Sequence, residues 1–129
     1  MDPIAEMFSQ IRNAKNSRHE SLQIPYSKMK MAILEILKNH HQIADYRIVE
    51  KKKDDEKPKW KKIEIKLREN MVDIKRVSRP GRRVYTTSVN IPRPKRPKSL
   101  YIISTPLGIL EGEEARKKGV GGELVAEVR

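Results

Sequence analysis

The chain has 129 residues, 36% of them hydrophobic and 36% charged, with no cysteine. That size suits one compact domain or two small ones with a modest core, and it excludes disulfides, thiol catalysis and thiolate metal sites. Lys and Arg outnumber Asp and Glu by 29 to 17, a formal charge of +12, so the favoured partners are polyanions, nucleic acid ahead of an anionic membrane surface.

In chain order, Asp2-Pro3 predicts a helix start. Asp accepts from the unpaired first-turn amides, and Pro is pre-set for the first helical position. Ile4, Met7, Phe8, Ile11 and Ala14 follow at helical spacing, and the helix should end near Ser17. This amphipathic opening begins with an acid and has no signal-peptide pattern. No apolar stretch approaches the roughly 18 residues of a membrane helix, so a soluble protein in a reducing compartment is expected. "SLQIPY" alternates and Pro25 closes it as a short strand. Ser27 caps a second helix whose buried face is expected to be Met29, Ile33, Ile36 and Leu37. Asn39-His40-His41 marks its exit. Residues 43–51 and 60–67 read as two strands joined by an exposed polar loop, "KKKDDEKPK".

A hinge is expected at 68–70. "MVDIKRV" is the next strand, Pro80-Gly81 a turn, and "VYTT" a short β piece. "SVNIPRPKRPK" reads as an extended connector, since its three prolines do not belong inside a sheet. "SLYIIS" is a strand that Pro106 stops. A short helix is expected over Glu113–Lys118, with acids early and bases late to match its dipole, Gly112 at its N-cap and Gly119 at its C′ position. "ELVAEV" is the last strand. The fold class is therefore α+β with two small domains: residues 1–69, ordered α-β-α-β-β, and residues 70–129, mainly β with one short helix. The basic charge is uneven. Residues 71–98 hold Lys75, Arg76, Arg79, Arg82, Arg83, Arg93, Lys95, Arg96 and Lys98 against one acid, Asp73.

No catalytic constellation emerges, so no enzyme and no cofactor is expected. His40-His41 and Asp45 lack a third metal ligand, and Ser104 lacks the G-x-S-x-G elbow and a base. The glycines of "GVGGE" leave a helix and enter a strand, the reverse of a phosphate loop. Nucleic-acid recognition needs other groups. Arg and Lys hold phosphates, while hydroxyls, a carboxylate and an aromatic ring reach base edges or stack on unpaired bases. Ser104, Thr105, Glu123 and Tyr85 are of that kind. Equally, Ser104-Thr105 could satisfy a turn and Glu123 could pair with a nearby Arg.

Three segments, "DPIAEMFSQIRNA", "IKRVSRPGRRVY" and "EARKKGVGGE", resemble in order the bacterial-type small-subunit ribosomal protein eight family, a likeness that runs from Asp2 to about Val128. The resemblance implies a structural protein of the cytoplasmic ribosome that binds the central domain of small-subunit rRNA and helps its assembly, chiefly through the C-terminal domain. The family's Ser-Thr-Ser loop falls on Ser104-Thr105, its Gly-Gly-Glu acid on Glu123 and its Arg-Val-Tyr ring on Tyr85. Gly121 and Gly122 would allow close backbone approach to RNA or supply turn geometry. Arg82, Arg93, Lys95 and Arg96 would hold phosphates. Implied partners are the rRNA and neighbouring small-subunit proteins, with the protein's own operon messenger added in some members, and neither a membrane nor a small-molecule substrate. The chain departs from the family at Pro106, where a third hydroxyl is usual, at Leu107, often Lys, and at Gly112, usually a hydroxyl cap. A protein–protein adaptor and an RNA-directed enzyme are the alternatives; the first should work without RNA, and the second should turn RNA over.

Overall fold

The computed structural model describes residues 2–51, 60–68, 73–94 and 99–129. The fold is α+β. Two compact units divide the chain, Ser9–Met71 and a second made of Met1–Phe8 with Val72–Arg129.

The first helix, α1 (Pro3–Asn16), starts where Asp2 caps it. Asp2 Oδ1 accepts from the amides of Ile4 at 3.2 Å and Ala5 at 3.3 Å. It is followed by β1 (Ser21–Pro25), α2 (Lys28–Asn39), β2 (Ile43–Lys51) and β3 (Trp60–Leu67). These strands form an antiparallel sheet in the order β1-β3-β2. Ile24, Ile63 and Ile48 share one register, and Leu22, Ile65 and Tyr46 the next on the same face. Ile24, Ile63 and Ile65 are buried, as are Ile33, Leu34 and Leu37 of α2. Gln23, Glu64 and Arg47 line the other, polar face. The loop expected to join β2 to β3 falls on 52–59, outside the described residues, as does the expected hinge beyond Arg68.

The buried stripe of α2 is Lys30, Ile33, Leu34 and Leu37, which corrects the expected face; Met29 and Ile36 are half-buried. The stripe keeps the i, i+3, i+4, i+7 spacing but begins at a lysine. Lys30 buries its stem and sends Nζ to the Pro25 carbonyl at 3.3 Å. Ser27 Oγ caps the helix by accepting from the Lys30 amide at 3.1 Å.

The second unit holds β4 (Ile74–Arg76), β5 (Tyr85–Thr86), β6 (Leu100–Thr105), β7 (Gly108–Glu111), α3 (Gly112–Lys117) and β8 (Gly122–Val128). Its antiparallel sheet runs β4-β8-β6-β7, with β5 also paired to β8. Ile91, Ile103, Leu110, Ala115 and Leu124 form a core cluster on one face, edged by Val77, Val84, Tyr101 and Val120. Residues Met1–Phe8 belong to this unit, where Arg76 Nε donates to Asp2 Oδ2 at 3.0 Å and Arg76 Nη1 to the Val125 carbonyl at 2.6 Å.

Three expectations change here. Strand β7 was not expected, because a four-residue segment after a proline shows no period of its own. It forms when Pro106-Leu107 turns the chain back and Ile103, Ser104 and Thr105 meet Leu110, Ile109 and Gly108. The α3 cap is Glu111, not Gly112: Glu111 Oε2 accepts from the Glu114 amide at 3.4 Å, a bond glycine has no side chain to make. The connector 88–98 opens with a 3-10 turn at Ser88–Asn90. Ile91 is then buried, and its carbonyl accepts from Arg116 Nη2 at 2.7 Å. The connector's basic end, 95–98, lies outside the described residues.

Candidate nucleic-acid interface

The expected site residues come from strands that meet at one end of the five-stranded sheet. Tyr85 of β5 is the register partner of Glu123 in β8, and Glu123 is the partner of Ser104 in β6. Directly paired residues project on the same face of an antiparallel ladder. Tyr85, Glu123 and Ser104 therefore stand in a row across three strands. Tyr85 is 70% exposed, enough of its ring to receive a stacking partner.

A bulge makes this row. The pairing runs Ile102 with Ala126, then Ile103 with Leu124, so Val125 is an extra residue in β8. Continuing the alternation from Ala126 without it would set Leu124 opposite Ser104 and turn Glu123 to the other face. With the bulge, Leu124 joins the core cluster and Glu123 joins Ser104.

Thr105 takes a different place from its neighbour. Successive strand residues point to opposite faces, so Thr105 projects away from the row. It is buried, and its Oγ1 donates to the Gly108 carbonyl at 2.7 Å while accepting from the Leu107 amide at 3.1 Å. Its hydroxyl closes the β6–β7 turn. The expected pair of reading hydroxyls thus divides into one on the row and one inside the hairpin.

Glu123 pairs with a nearby arginine, as the alternative reading of the sequence allowed, and Ser78, which the sequence did not single out, lies beside it. Arg83 Nη1 donates to Glu123 Oε1 at 2.8 Å. Ser78, fully buried, accepts from the Val84 amide at 3.0 Å, and its hydroxyl helps to lower the same carboxyl. Burial alone would raise the Glu123 carboxyl. The Ser78 hydroxyl and the Arg83 bond, with the charges of Arg83 and Arg76, outweigh it and hold the group below the usual carboxylate range. The hint available in the sequence was a hydroxyl just ahead of the Pro-Gly turn and an arginine just after it. That turn is tight, with Arg79 and Arg82 exchanging backbone hydrogen bonds at 3.0 and 2.9 Å, and it leaves the Arg82 side chain exposed.

Gly121 and Gly122 are required by the chain's own packing. A Cβ on Gly121 would lie 2.2 Å from the Thr86 carbonyl oxygen, and one on Gly122 would lie 2.0 Å from that of Ser104. The glycines let β5 and β6 close on β8. Arg93 is exposed, and its charge acts on Glu113 of α3. Lys95 and Arg96 lie outside the described residues. Among the described residues, no three His, Asp or Glu side chains are grouped to hold a metal ion.

The sheet end thus offers a hydroxyl, a held carboxylate and an exposed ring beside arginines, which is the equipment of a contact surface. The family model for ribosomal protein S8 matches residues 2–129. The small ribosomal subunit protein uS8 of Caldicellulosiruptor bescii is 45% identical, over 99% of this chain and 97% of its own length. That of Mycoplasmopsis pulmonis is 43% identical, over 98% and 96%, and that of Geobacillus kaustophilus 44%, over 98% and 96%. The chain belongs to the ribosomal protein S8 family, structural components of the ribosome rather than enzymes.

Proposed function

We propose that this protein is a structural constituent of the small ribosomal subunit that binds the central domain of small-subunit rRNA directly and helps it assemble, in the cytoplasm and among neighbouring small-subunit proteins. One observation carries the reading: the shared register of Tyr85, Glu123 and Ser104 across β5, β8 and β6. Ser104 and the Glu123 carboxylate offer an acceptor-rich edge for base amino groups, and Tyr85 a platform for an unpaired base. Thr105 supports them by fixing the turn, and Gly121-Gly122 by letting the strands close. Arg82 and Arg93, with Lys95 and Arg96 in the connector, supply phosphate contacts that position without specifying.

The test is competition binding of a central-domain rRNA fragment against an equally long, fully paired RNA over a salt series. A preference for the fragment that persists at higher salt, and that Glu123→Gln and Ser104→Ala each reduce, is expected. Equal binding that fades steeply with salt would leave only a basic surface and refute the reading.

A further inference from the structure

The first sheet runs β1-β3-β2, so among the described residues β2 has a strand on one side only. Which of its backbone groups lie on the open side follows from β3. The Tyr26 amide donates to the Lys61 carbonyl at 3.3 Å, and the Leu67 amide to the Glu20 carbonyl at 2.9 Å. The odd residues of β3 therefore direct their backbone groups toward β1. Lys61, Ile63 and Ile65 are paired on the other side with Glu50, Ile48 and Tyr46, and such pairs are the non-hydrogen-bonded ones of an antiparallel ladder. The N–H and C=O groups of Tyr46, Ile48 and Glu50 thus face outward, a template for another strand. Ile48, in the middle, is 42% exposed.

Asp45 closes this edge at one end. Its Oδ1 accepts from the Tyr46 amide at 2.8 Å, and so takes the bond that an incoming strand would need there. Lys38 Nζ of α2 lies 3.2 Å from the same oxygen. The Tyr46 amide, and then Lys38, hold the Asp45 carboxyl below its ordinary range, so it stays a charged acceptor at neutral pH. The same helix fixes the Tyr46 ring: its hydroxyl donates to the Glu35 carboxylate, and Lys38 Nζ stands 5.8 Å from its centroid. A bulge comes just before, since Ala44 is the extra residue between Ile43 and Asp45. Bulges and charges on an edge strand are the devices that keep sheets from joining.

The strand fits its own copy. Laid antiparallel on a second β2 with Ile48 on the two-fold axis, it sets Ile48 against Ile48, Arg47 against Val49 and Tyr46 against Glu50. No like charges meet, and two exposed isoleucines cover each other. The Ile48 pair and the Tyr46–Glu50 pairs would be the hydrogen-bonded ones, because those residues carry the outward groups. With Arg47 on the axis the two arginines would oppose each other, and the Arg47 backbone groups already face β3. We propose that β2 is a self-association edge whose occupant is a second copy of this chain, and that the Asp45 carboxylate keeps it closed by holding the Tyr46 amide.

The test is sedimentation equilibrium of the full chain without RNA, in salt enough to screen its +12 charge. Wild type should stay monomeric. Asp45→Ala leaves the Tyr46 amide open and should dimerise with a Kd of about 10 μM to 1 mM, the weak range suited to a few paired residues. Adding Ile48→Lys puts two ammonium groups on the axis and should restore the monomer. Asp45 and Ile48 are both exposed, so melting temperatures should change little. Hydrogen exchange gives a reading on the wild type itself: the Ile48 and Glu50 amides should exchange faster than those of Arg47 and Val49. In Asp45→Ala they should slow as concentration rises. An Asp45→Ala chain still monomeric at about 1 mM would overturn the proposal. So would a dimer that Ile48→Lys leaves intact, since the copies would then meet elsewhere. Wild type that dimerises as readily as the variant would overturn it too, because Asp45 would then close nothing.

Discussion

Replacing Thr105 by valine separates a residue that builds the turn from one that reads RNA. Valine keeps the shape and the β-branching but removes the hydroxyl, and with it the bonds to the Gly108 carbonyl and from the Leu107 amide. Each such bond contributes about 0.5–1.5 kcal/mol net. Leu107 and Gly108 are exposed, so both stranded groups regain water and the loss should fall at about 1–2 kcal/mol rather than the upper sum. Urea unfolding of the full chain should show this as a lower midpoint with an unchanged slope. Thr105→Ser, which keeps Oγ, should recover most of it. Fragment affinity should follow the same order, with serine close to wild type. Wild-type stability in Thr105→Val with fragment binding lost would refute the reasoning, because the hydroxyl would then be spent on RNA and not on the turn.

Glu123→Gln should weaken fragment binding by roughly 1–3 kcal/mol, the range for one good base contact, with little change toward fully paired RNA. Because the folded carboxyl is held below its ordinary value, its stabilisation is present above the unfolded value of about 4.3 and is lost as pH falls through the lower folded value. The stability gap between wild type and Glu123→Gln should therefore close in acid; a constant gap from neutral pH to about pH 3 would count against the Arg83 and Ser78 contacts. Asp2→Ala removes a helix cap and strands a largely buried guanidinium. It should cost about 3 kcal/mol, the low end for breaking a buried pair, because Arg76 keeps its bond to Val125; a urea-derived loss below about 1 kcal/mol would mean the pair contributes little. Gly122→Ala should cost at least the roughly 1–3 kcal/mol of overpacking, since its Cβ would meet backbone at 2.0 Å. Gly81→Ala, with nothing near its Cβ, should stay within about 0.5 kcal/mol in the same unfolding assay.

Local chemistry was legible in the sequence wherever one residue settles one bond. Asp2 and Ser27 cap the helices they were expected to cap, Pro80-Gly81 makes its turn, and Gly119 takes the left-handed position after α3. The strands at 43–51 and 60–67 begin and end where alternation and turn residues put them. Expectations failed where the outcome depended on a partner strand or helix. The stripe of α2 rotated onto Lys30 because a long stem can be buried if its ammonium finds a carbonyl. Strand β7 has too few residues to announce itself and exists because β6 pairs with it.

The sequence by itself determined the charge, the α+β order of elements, the family likeness and the residue types at the candidate interface. It could not say which of those residues share a face, because side-chain direction in a strand has a period of two and one extra residue reverses it. Tertiary structure decided that. The bulge at Val125 turns Glu123 toward Ser104 and Tyr85, and the same alternation turns Thr105 away into the hairpin.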